Sequence, residues 1–384
     1  MIAPIGVSKN TTAQPVYALG KSAQRPYDFP FPDISLALDS KGGVPGLNSP
    51  VRPNDPLMRS QYSINWFLGI QRELAAAWSV EVDYIGAGGR KLYQVYDVNR
   101  FNGDLFDGRL DRLNSSFGSI GYGQANGISA FHGGTFMVRR RDFRGLDFHV
   151  AYTLGKAIDT ASSGTDGPVV DITNQGLARG LADFDIRQKF ASGYLLRLPG
   201  FRGGAGAIGR VLSGWQLSGV TILQSGRPFT VTCGLPFIPV LDAGGNLIGN
   251  SGCDFNADGN TFAPLSAPAF GNSKHGDRRD FQFPNQIFTV DDFPKPSVGQ
   301  NGTLGRNTFI GPGYANTDFA LLKVTRIPWK GSDQANIQFR VEFFNVFNRV
   351  NLQPPASDIT SSLFGSSTAA LPARNIQFGL RFEF

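Results

Sequence analysis

The chain has 384 residues, of which 17% are charged, and its formal net charge is +6. Mean hydropathy is only −0.14, and no apolar run approaches the ~20 residues that a membrane-spanning helix needs, which excludes a helical membrane protein. The basic residues are scattered, and they form a run only at Arg139-Arg140-Arg141. Without a basic face carrying stacking aromatics, we expect no nucleic acid among the partners.

Residues 1–59 are rich in Pro, Gly, Ser and Asp. Because proline cannot donate the hydrogen bonds of a sheet ladder, we interpret this stretch as an irregular loop segment and not as a domain. Its first residues, Met1–Gly6, lack the basic and apolar regions of a secretory signal. For an exported protein, this pattern predicts that an amino-terminal portion precedes the sequence.

From residue 60 onward, apolar and polar side chains alternate with the period of two that is typical of strands. The first strand places Tyr62 and Trp66 on one face and Asn65 on the other, and Phe67 breaks the pattern. A helix over residues 70–77 is the competing interpretation, but the helical period does not extend on either side. We therefore predict a short connection there and a second strand from Trp78. Further strands are predicted at 129–138, 146–154, 187–198, 215–224, 314–327 and 336–349, with a strand extension at 91–98.

The connections between these strands are alternately short and long. The short ones are 74–77, 142–145, 200–209 and 329–335, and the long ones are 88–126, 157–184, 226–312 and 351–373. Transmembrane barrels have tight periplasmic turns and long outer loops, whereas a soluble sandwich gives no reason for such alternation.

The last strand is apolar at every second position and ends on an aromatic residue. Its apolar residues are Ile376, Phe378, Leu380, Phe382 and Phe384, and its other residues are Gln377, Gly379, Arg381 and Glu383. Such a strand suits a soluble sandwich with its polar face in water. It equally suits an outer-membrane barrel with its apolar face in lipid. The alternating connections along the chain favour the barrel.

We therefore predict an all-β fold, an antiparallel transmembrane β-barrel over residues 60–384 in the outer membrane of a Gram-negative-type bacterium. Residues 226–312 would be its longest extracellular loop, and residues 1–59 an outer-loop segment. An unpaired edge in lipid leaves N–H and C=O groups unsatisfied at several kcal/mol each, so the wall must close. We count nine strands, whereas bacterial single-chain barrels have an even number. Either one strand is missed or the chain is a piece of a larger barrel.

Several segments carry a resemblance to a known family. They are Gln71–Leu74, Tyr84–Leu92, Gly214–Gly219 with Ser225–Phe229, Gly305–Asn307 with Gly311–Tyr314, and, most specifically, Phe339–Asn348. In this order, and followed by the terminal Phe384, they resemble the barrel of TonB-dependent outer-membrane receptors, in particular the Oar-like branch.

That resemblance implies a 22-stranded barrel preceded by a plug domain, with this chain as its last nine or ten strands. It implies outer-membrane lipid and the barrel-assembly machinery as partners, the latter recognising Phe378, Leu380, Phe382 and Phe384. No plug is recognisable in this sequence, so contact with the TonB complex would run through a plug outside this chain. The implied function is uptake of a scarce, unidentified substrate.

The longest predicted loop contains a segment that matches the first half of a calcium loop. Its oxygen ligands would be Asp254, Asn256, Asp258 and Asn260. Leu265 stands where the twelfth, acidic ligand is expected, so a calcium site and an Asx-rich surface turn both stay open. Cys233 and Cys253 lie in the same loop and are compatible with a disulfide or with two free thiols.

We find no catalytic constellation and expect no enzyme. The histidines, His132, His149 and His275, are far apart and fit no metal-binding pattern. The acidic pairs Asp183/Asp185 and Asp291-Asp292 are typical of loops and strand entries. Two alternatives to the receptor stay open: a standalone passive porin-like barrel and a secreted, calcium-stabilised soluble β protein.

Overall fold

A computed structural model describes residues 52–75, 77–99, 113–114, 117, 120–162, 175–199, 207–235, 238–245, 247–253, 255, 287–297, 302–329 and 332–383. The long strands are β1 (Tyr62–Ala75), β2 (Trp78–Asp97), β3 (Gly121–Phe143), β4 (Leu146–Asp159), β6 (Gln188–Arg197), β7 (Trp215–Gln224), β12 (Tyr314–Trp329), β13 (Ser332–Phe344) and β14 (Asn375–Glu383). The shorter elements are β5 (Gly180–Leu181), β8 (Pro228–Phe229), β9 (Pro239–Leu241), β10 (Leu247–Asn250), β11 (Phe309–Ile310), helix α1 (Ala207–Leu212) and the 3-10 turns Gln175–Ala178 and Val290–Asp292.

One large antiparallel sheet holds the long strands. Its order is β1-β2-β3-β4-β6-β7-β12-β13-β14, and β5 pairs with β4 beside this path. Each long strand therefore lies next to its neighbours in the chain, which confirms the predicted all-β, antiparallel architecture. Strands β1 and β14 form the two ends of the sheet, and no pairing joins them among the described residues.

The strand extension predicted at 91–98 is confirmed as the end of β2, whereas both boundaries of the loop predicted at 88–126 are wrong. Strand β2 continues to Asp97 and pairs with β3 from Gly121 onward. The pairing register shifts between Arg90 and Leu92, and Lys91 has a positive φ of 55°. This bulge inserts one residue into the alternation, so the two-residue period breaks although the strand continues.

Three other predicted boundaries also moved. The turn predicted at 142–145 narrows to Arg144 and Gly145, whose φ angles of 52° and 84° fit a two-residue hairpin turn. The glycine-rich connection at 200–209 contains the start of α1. Strand β13 ends at Phe344, because Asn345 takes a φ of 53° and begins a turn. The predicted segment 1–59 lies outside the described residues up to Val51.

Directly paired residues share a face of an antiparallel sheet, and the register separates two faces of different character. The first, called here the apolar face, contains the continuous row Ile70, Val82, Phe136, Tyr152, Phe190 and Leu223. The second, the polar face, contains the row Glu73, Ser79, Arg139, His149, Gly193, Val220 and Asp318.

Many side chains of the apolar face are exposed, on the inner strands as well as at the ends of the sheet: Phe136 on β3 is 48% and Tyr152 on β4 is 40% exposed. Leu68 and Ile70 on β1 are both 65% exposed, and Leu380 on β14 is 76% exposed. The rows therefore do not pack on one another as they would inside a soluble sandwich. The main hydrophobic core lies instead among the connections that follow β7 and β13. No helix in the described part of the chain has the length and apolarity to cross a membrane.

Candidate functional site

The polar face carries a cleft of about 550 Å³ that is lined by side chains of both charges. Residues that line it include Arg139, His149, Asp318, Arg340 and Glu342. They come from β3, β4, β12 and β13, whose polar-face positions recur at every second residue. Charged side chains of both signs thus line the cleft together with apolar ones.

Ion pairs hold part of this cleft in place. The Nη1 of Arg197 lies 2.8 Å from the Oδ2 of Asp147, and Arg340 lies 2.5 Å from Glu342. The Oδ1 of Asp318 accepts hydrogen bonds from the main-chain N–H of Asn345 and from the side chain of Asn316, both at 2.9 Å. Asp318 therefore connects the beginning of β12 to the turn that follows β13 through these hydrogen bonds.

A buried arginine joins two of the long connections. Arg306 forms an ion pair with Asp159, and both side chains are at least 94% buried. Its Nη2 also donates to the main-chain oxygen of Asp159 at 2.9 Å, and its Nε donates to the oxygen of Ala178 at 3.0 Å. A side chain at Gly180 would collide with the main chain of Arg306, so glycine permits this close approach.

Asn307 extends the same junction. Its Nδ2 donates to the oxygen of Leu181 at 2.7 Å and to the Oδ1 of Asp183 at 2.6 Å. Its Oδ1 accepts from the hydroxyl of Thr230 at 3.1 Å, while its own N–H donates to that hydroxyl at 2.8 Å. The connections after β4 and β7 are thus joined into a single assembly, which we call the loop assembly.

An aromatic core stabilises the loop assembly. Its buried members are Phe229, Val231, Cys233, Cys253, Phe255, Phe288, Phe293, Leu304, Phe309, Ile359 and Phe364. The connection after β13 contributes Ile359 and Phe364, and Asp358 accepts from the N–H of Gly234 at 3.3 Å. Cys233 and Cys253 form a disulfide with 5.6 Å between their Cα atoms, a separation that suits such a bond.

The predicted calcium ligands, Asp254, Asn256, Asp258 and Asn260, lie outside the described residues, and so does His275. Among the residues that the structure describes, no group of three or more His, Cys, Asp or Glu could hold a metal ion. His132 and His149 lie on opposite faces of the sheet, so they do not form a common site. The calcium site stays a prediction.

The acidic loop residues have structural partners. Asp183 contacts Arg306 and Asn307, and the Oδ1 of Asp185 accepts from the N–H of Ala157 at 2.5 Å. In the terminal strand, Phe378, Leu380 and Phe382 are exposed on the apolar face. Phe384, the fourth residue of the predicted assembly signal, lies outside the described residues.

Sequence reasoning did not single out Arg306 or Asp159. These residues are 147 positions apart, and neither belongs to a charge cluster. Only the family resemblance of the triplet Gly305–Asn307 pointed to this part of the chain. In the structure, Arg306 and Asn307 of this triplet join the connections after β4 and β7.

Comparisons with known proteins bear on the sheet as a whole. A family model described as "Outer membrane beta barrel domain" matches residues 3–377. No curated protein matches the chain in sequence.

Two outer-membrane transporters of known structure are similar in fold. The transporter YddB from Escherichia coli is 10% identical with a TM-score of 0.45, and the match covers 87% of this chain and 33% of YddB. The FrpB iron transporter from Neisseria meningitidis is 10% identical with a TM-score of 0.39, covering 86% of this chain and 32% of FrpB. The chain thus spans about a third of the length of each transporter.

Proposed function

Because this chain belongs to the outer membrane beta barrel domain family and is located in the outer membrane, we propose that it forms the carboxy-terminal part of the barrel of a TonB-dependent transporter of the Oar-like branch. In this role it takes up a scarce, polar substrate and carries out no chemical conversion. The predicted outer-membrane location is confirmed by the family. A secreted soluble protein is not supported by it.

The observation that carries the proposal is the difference between the two faces of the sheet. Aliphatic and aromatic side chains, many of them exposed, cover one face, and the cleft with charges of both signs lies on the other. A wall between lipid and a wet lumen requires this arrangement. The substrate path would run along the polar face, past Arg139 and Arg340.

Closure of the wall is part of the proposal. Among the described residues, β1 and β14 each pair with one strand only, and an edge left open in this way would leave main-chain N–H and C=O groups unsatisfied in lipid. We propose that further strands complete the barrel, in line with the 22 strands that the family resemblance implies. The TonB complex would act through a plug held inside that barrel.

Assembly would begin at β14. Phe378, Leu380 and Phe382 present an exposed aromatic and aliphatic row on the last strand, and the family resemblance assigns such a row, with Phe384, to the barrel-assembly machinery. We propose this machinery and outer-membrane lipid as the partners of the chain.

The test compares the nutrients that two mutant strains of the native host leave in the medium. One strain lacks the gene for this protein, and the other lacks TonB. Mass spectrometry of the spent medium should identify a compound that both strains leave unconsumed and that the parent strain removes. Reintroducing the gene on a plasmid should restore its removal in the first strain.

A passive pore predicts a different result. The compound left by the strain without this protein would then be consumed normally in the strain without TonB. That outcome would overturn the TonB-dependent proposal and support diffusion through a porin-like barrel.

A further inference from the structure

The apolar face carries cations but no carboxylates. We consider the part of the sheet between the short connections and the bulge at Lys91. All acidic residues with a described pairing in the long strands there lie on the polar face: Glu73, Glu81, Asp83, Asp147, Asp159, Asp318, Glu342 and Glu383. The apolar face holds Arg72, Arg90, Arg140, Lys156, Lys323 and His132. A face that meets bulk water would carry both signs, whereas this distribution is complementary to an anionic surface.

Three of these basic residues, Arg90, His132 and Lys156, lie on neighbouring strands, at the end of the apolar face that is nearer to the long connections. His132 on β3 pairs directly with Lys156 on β4, which places their Cβ atoms about 5 Å apart on one face. Arg90 on β2 folds along the same face, since a Cβ at Gly88 would lie 3.4 Å from its Nη1. All three side chains are exposed.

Main-chain contacts hold the guanidinium of Arg90 in this position. Its Nη1 donates to the oxygen of Gly89 at 2.9 Å and to the oxygen of Ser129 at 3.1 Å. One end of the guanidinium is therefore anchored on the sheet. The anchor leaves the guanidinium charge over Gly88, whose partner Ala130 is the next residue from His132 on the same face.

The imidazole of His132 is oriented by two aromatic residues. The hydroxyl of Tyr84 lies 2.7 Å from its Nδ1, and the Nε1–H of Trp66 donates to that hydroxyl at 3.5 Å. The Tyr84 hydroxyl thus engages Nδ1 and leaves Nε2, on the other side of the ring, for a further partner. Gly86 permits this contact, since a side chain there would overlap the indole of Trp66.

We propose that Arg90, His132 and Lys156 bind the phosphate of a lipid headgroup. Guanidinium and ammonium groups form charge-assisted hydrogen bonds with phosphate oxygens, and the imidazole of His132 adds a third polar group through Nε2. The acyl chains would lie on the exposed rows just below, where Leu68 is 65% and Leu154 is 48% exposed. This continuity with the apolar face favours a lipid over free phosphate, and it holds whatever the lumen transports.

The test uses two lipids that differ only in the phosphate, dioleoyl phosphatidic acid and dioleoylglycerol. The full chain in neutral detergent is titrated with each, and native mass spectrometry counts the lipid retained. We expect phosphatidic acid to be retained and dioleoylglycerol to be lost. The double variant Arg90→Gln/Lys156→Gln should bind phosphatidic acid at least about tenfold more weakly, at about 1 kcal/mol for each basic group. His132→Gln should weaken it as well.

Lys189→Gln is the matched control, because Lys189 is an exposed cation of the same sheet on its polar face. Its binding should equal that of the unmodified chain. Far-UV circular dichroism checks that each variant keeps its strands. Equal retention of the two lipids, equal loss in Lys189→Gln, or displacement of the lipid by equimolar inorganic phosphate would each overturn the proposal.

Discussion

Arg306 donates hydrogen bonds to both the carboxylate and the main-chain oxygen of Asp159, although 147 residues separate them along the chain. The contact joins the connection after β7 to the end of β4. Since both side chains are almost fully buried, removal of either would leave a charge without its partner.

Arg306→Ala should therefore loosen the loop assembly. Loss of one partner of a buried ion pair costs about 3–5 kcal/mol, and the effect should be local, because Arg306 lies outside the sheet. Limited proteolysis should show faster cleavage between residues 160 and 187. Arg197→Ala is the control, since its pair with Asp147 is half exposed and such pairs contribute at most about 1 kcal/mol. Equal cleavage in both variants would contradict this role.

The two faces of the sheet predict losses of stability of different size for the same substitution at adjacent positions. Phe136→Arg puts a charge on the apolar face and should cost about 2–4 kcal/mol near the bilayer midplane. Thr135→Arg points to the polar face and should cost far less. Urea unfolding of both variants in liposomes measures the difference. Similar losses at the two positions would mean that the apolar face does not meet lipid.

The disulfide should stabilise the aromatic core of the loop assembly. Cys233 and Cys253 are 20 residues apart, and a closed loop of this length is worth about 3 kcal/mol in the chain-entropy description. Cys233→Ser/Cys253→Ser should make the connection after β7 more sensitive to protease. Alkylation without reductant followed by intact-mass measurement tests the bond itself. Two alkylated cysteines would show free thiols instead.

Asn345 should be difficult to replace at the end of β13. Its φ is 53°, and its side chain accepts from the N–H of Arg349 and donates to the oxygen of the same residue, both at 2.9 Å. Asn345→Ala loses both bonds and strains the backbone, so we expect a loss of about 1–3 kcal/mol. Asn345→Gly relieves the strain alone and should be intermediate in thermal unfolding. Equal stability of the two variants would exclude a contribution from backbone strain.

Calcium should protect the segment around Asp254 and Asp258 from protease if its oxygen ligands bind the cation. Digestion of the chain with calcium and with chelator measures this protection. Asp258→Ala should abolish it, whereas Asp242→Ala, outside the predicted ligand set, should not. Identical digestion under both conditions would leave the Asx-rich turn as the description of this segment.

The sheet could be predicted from sequence because the alternation of apolar and polar residues within each strand shows which residues share a face. Alternation around Trp66 and Phe378 does not depend on what the strand pairs with. The bulge at Lys91 was the exception, since one added residue exchanges the faces and resembles the start of a loop. Local periodicity therefore finds strands but not their irregularities.

The loop assembly could not be predicted, because its contacts join distant segments of irregular chain. Nothing near Arg306 in sequence indicates Asp159 or Ala178 as its partners. The phenylalanines of the aromatic core have no period, since a loop repeats no geometry. The position of His132 on the apolar face likewise emerged only from the register of β3 against β2 and β4.

The restriction of carboxylates to one face has a consequence for how the strands find their register. A slip by one residue would exchange the faces of a strand. On β2 it would move Glu81 and Asp83 onto the apolar face, and a charged residue on the lipid-facing side of a barrel is destabilising. A strand inserted in a shifted register is thus less stable than one in the native register, so the acidic side chains favour correct strand pairing during barrel assembly.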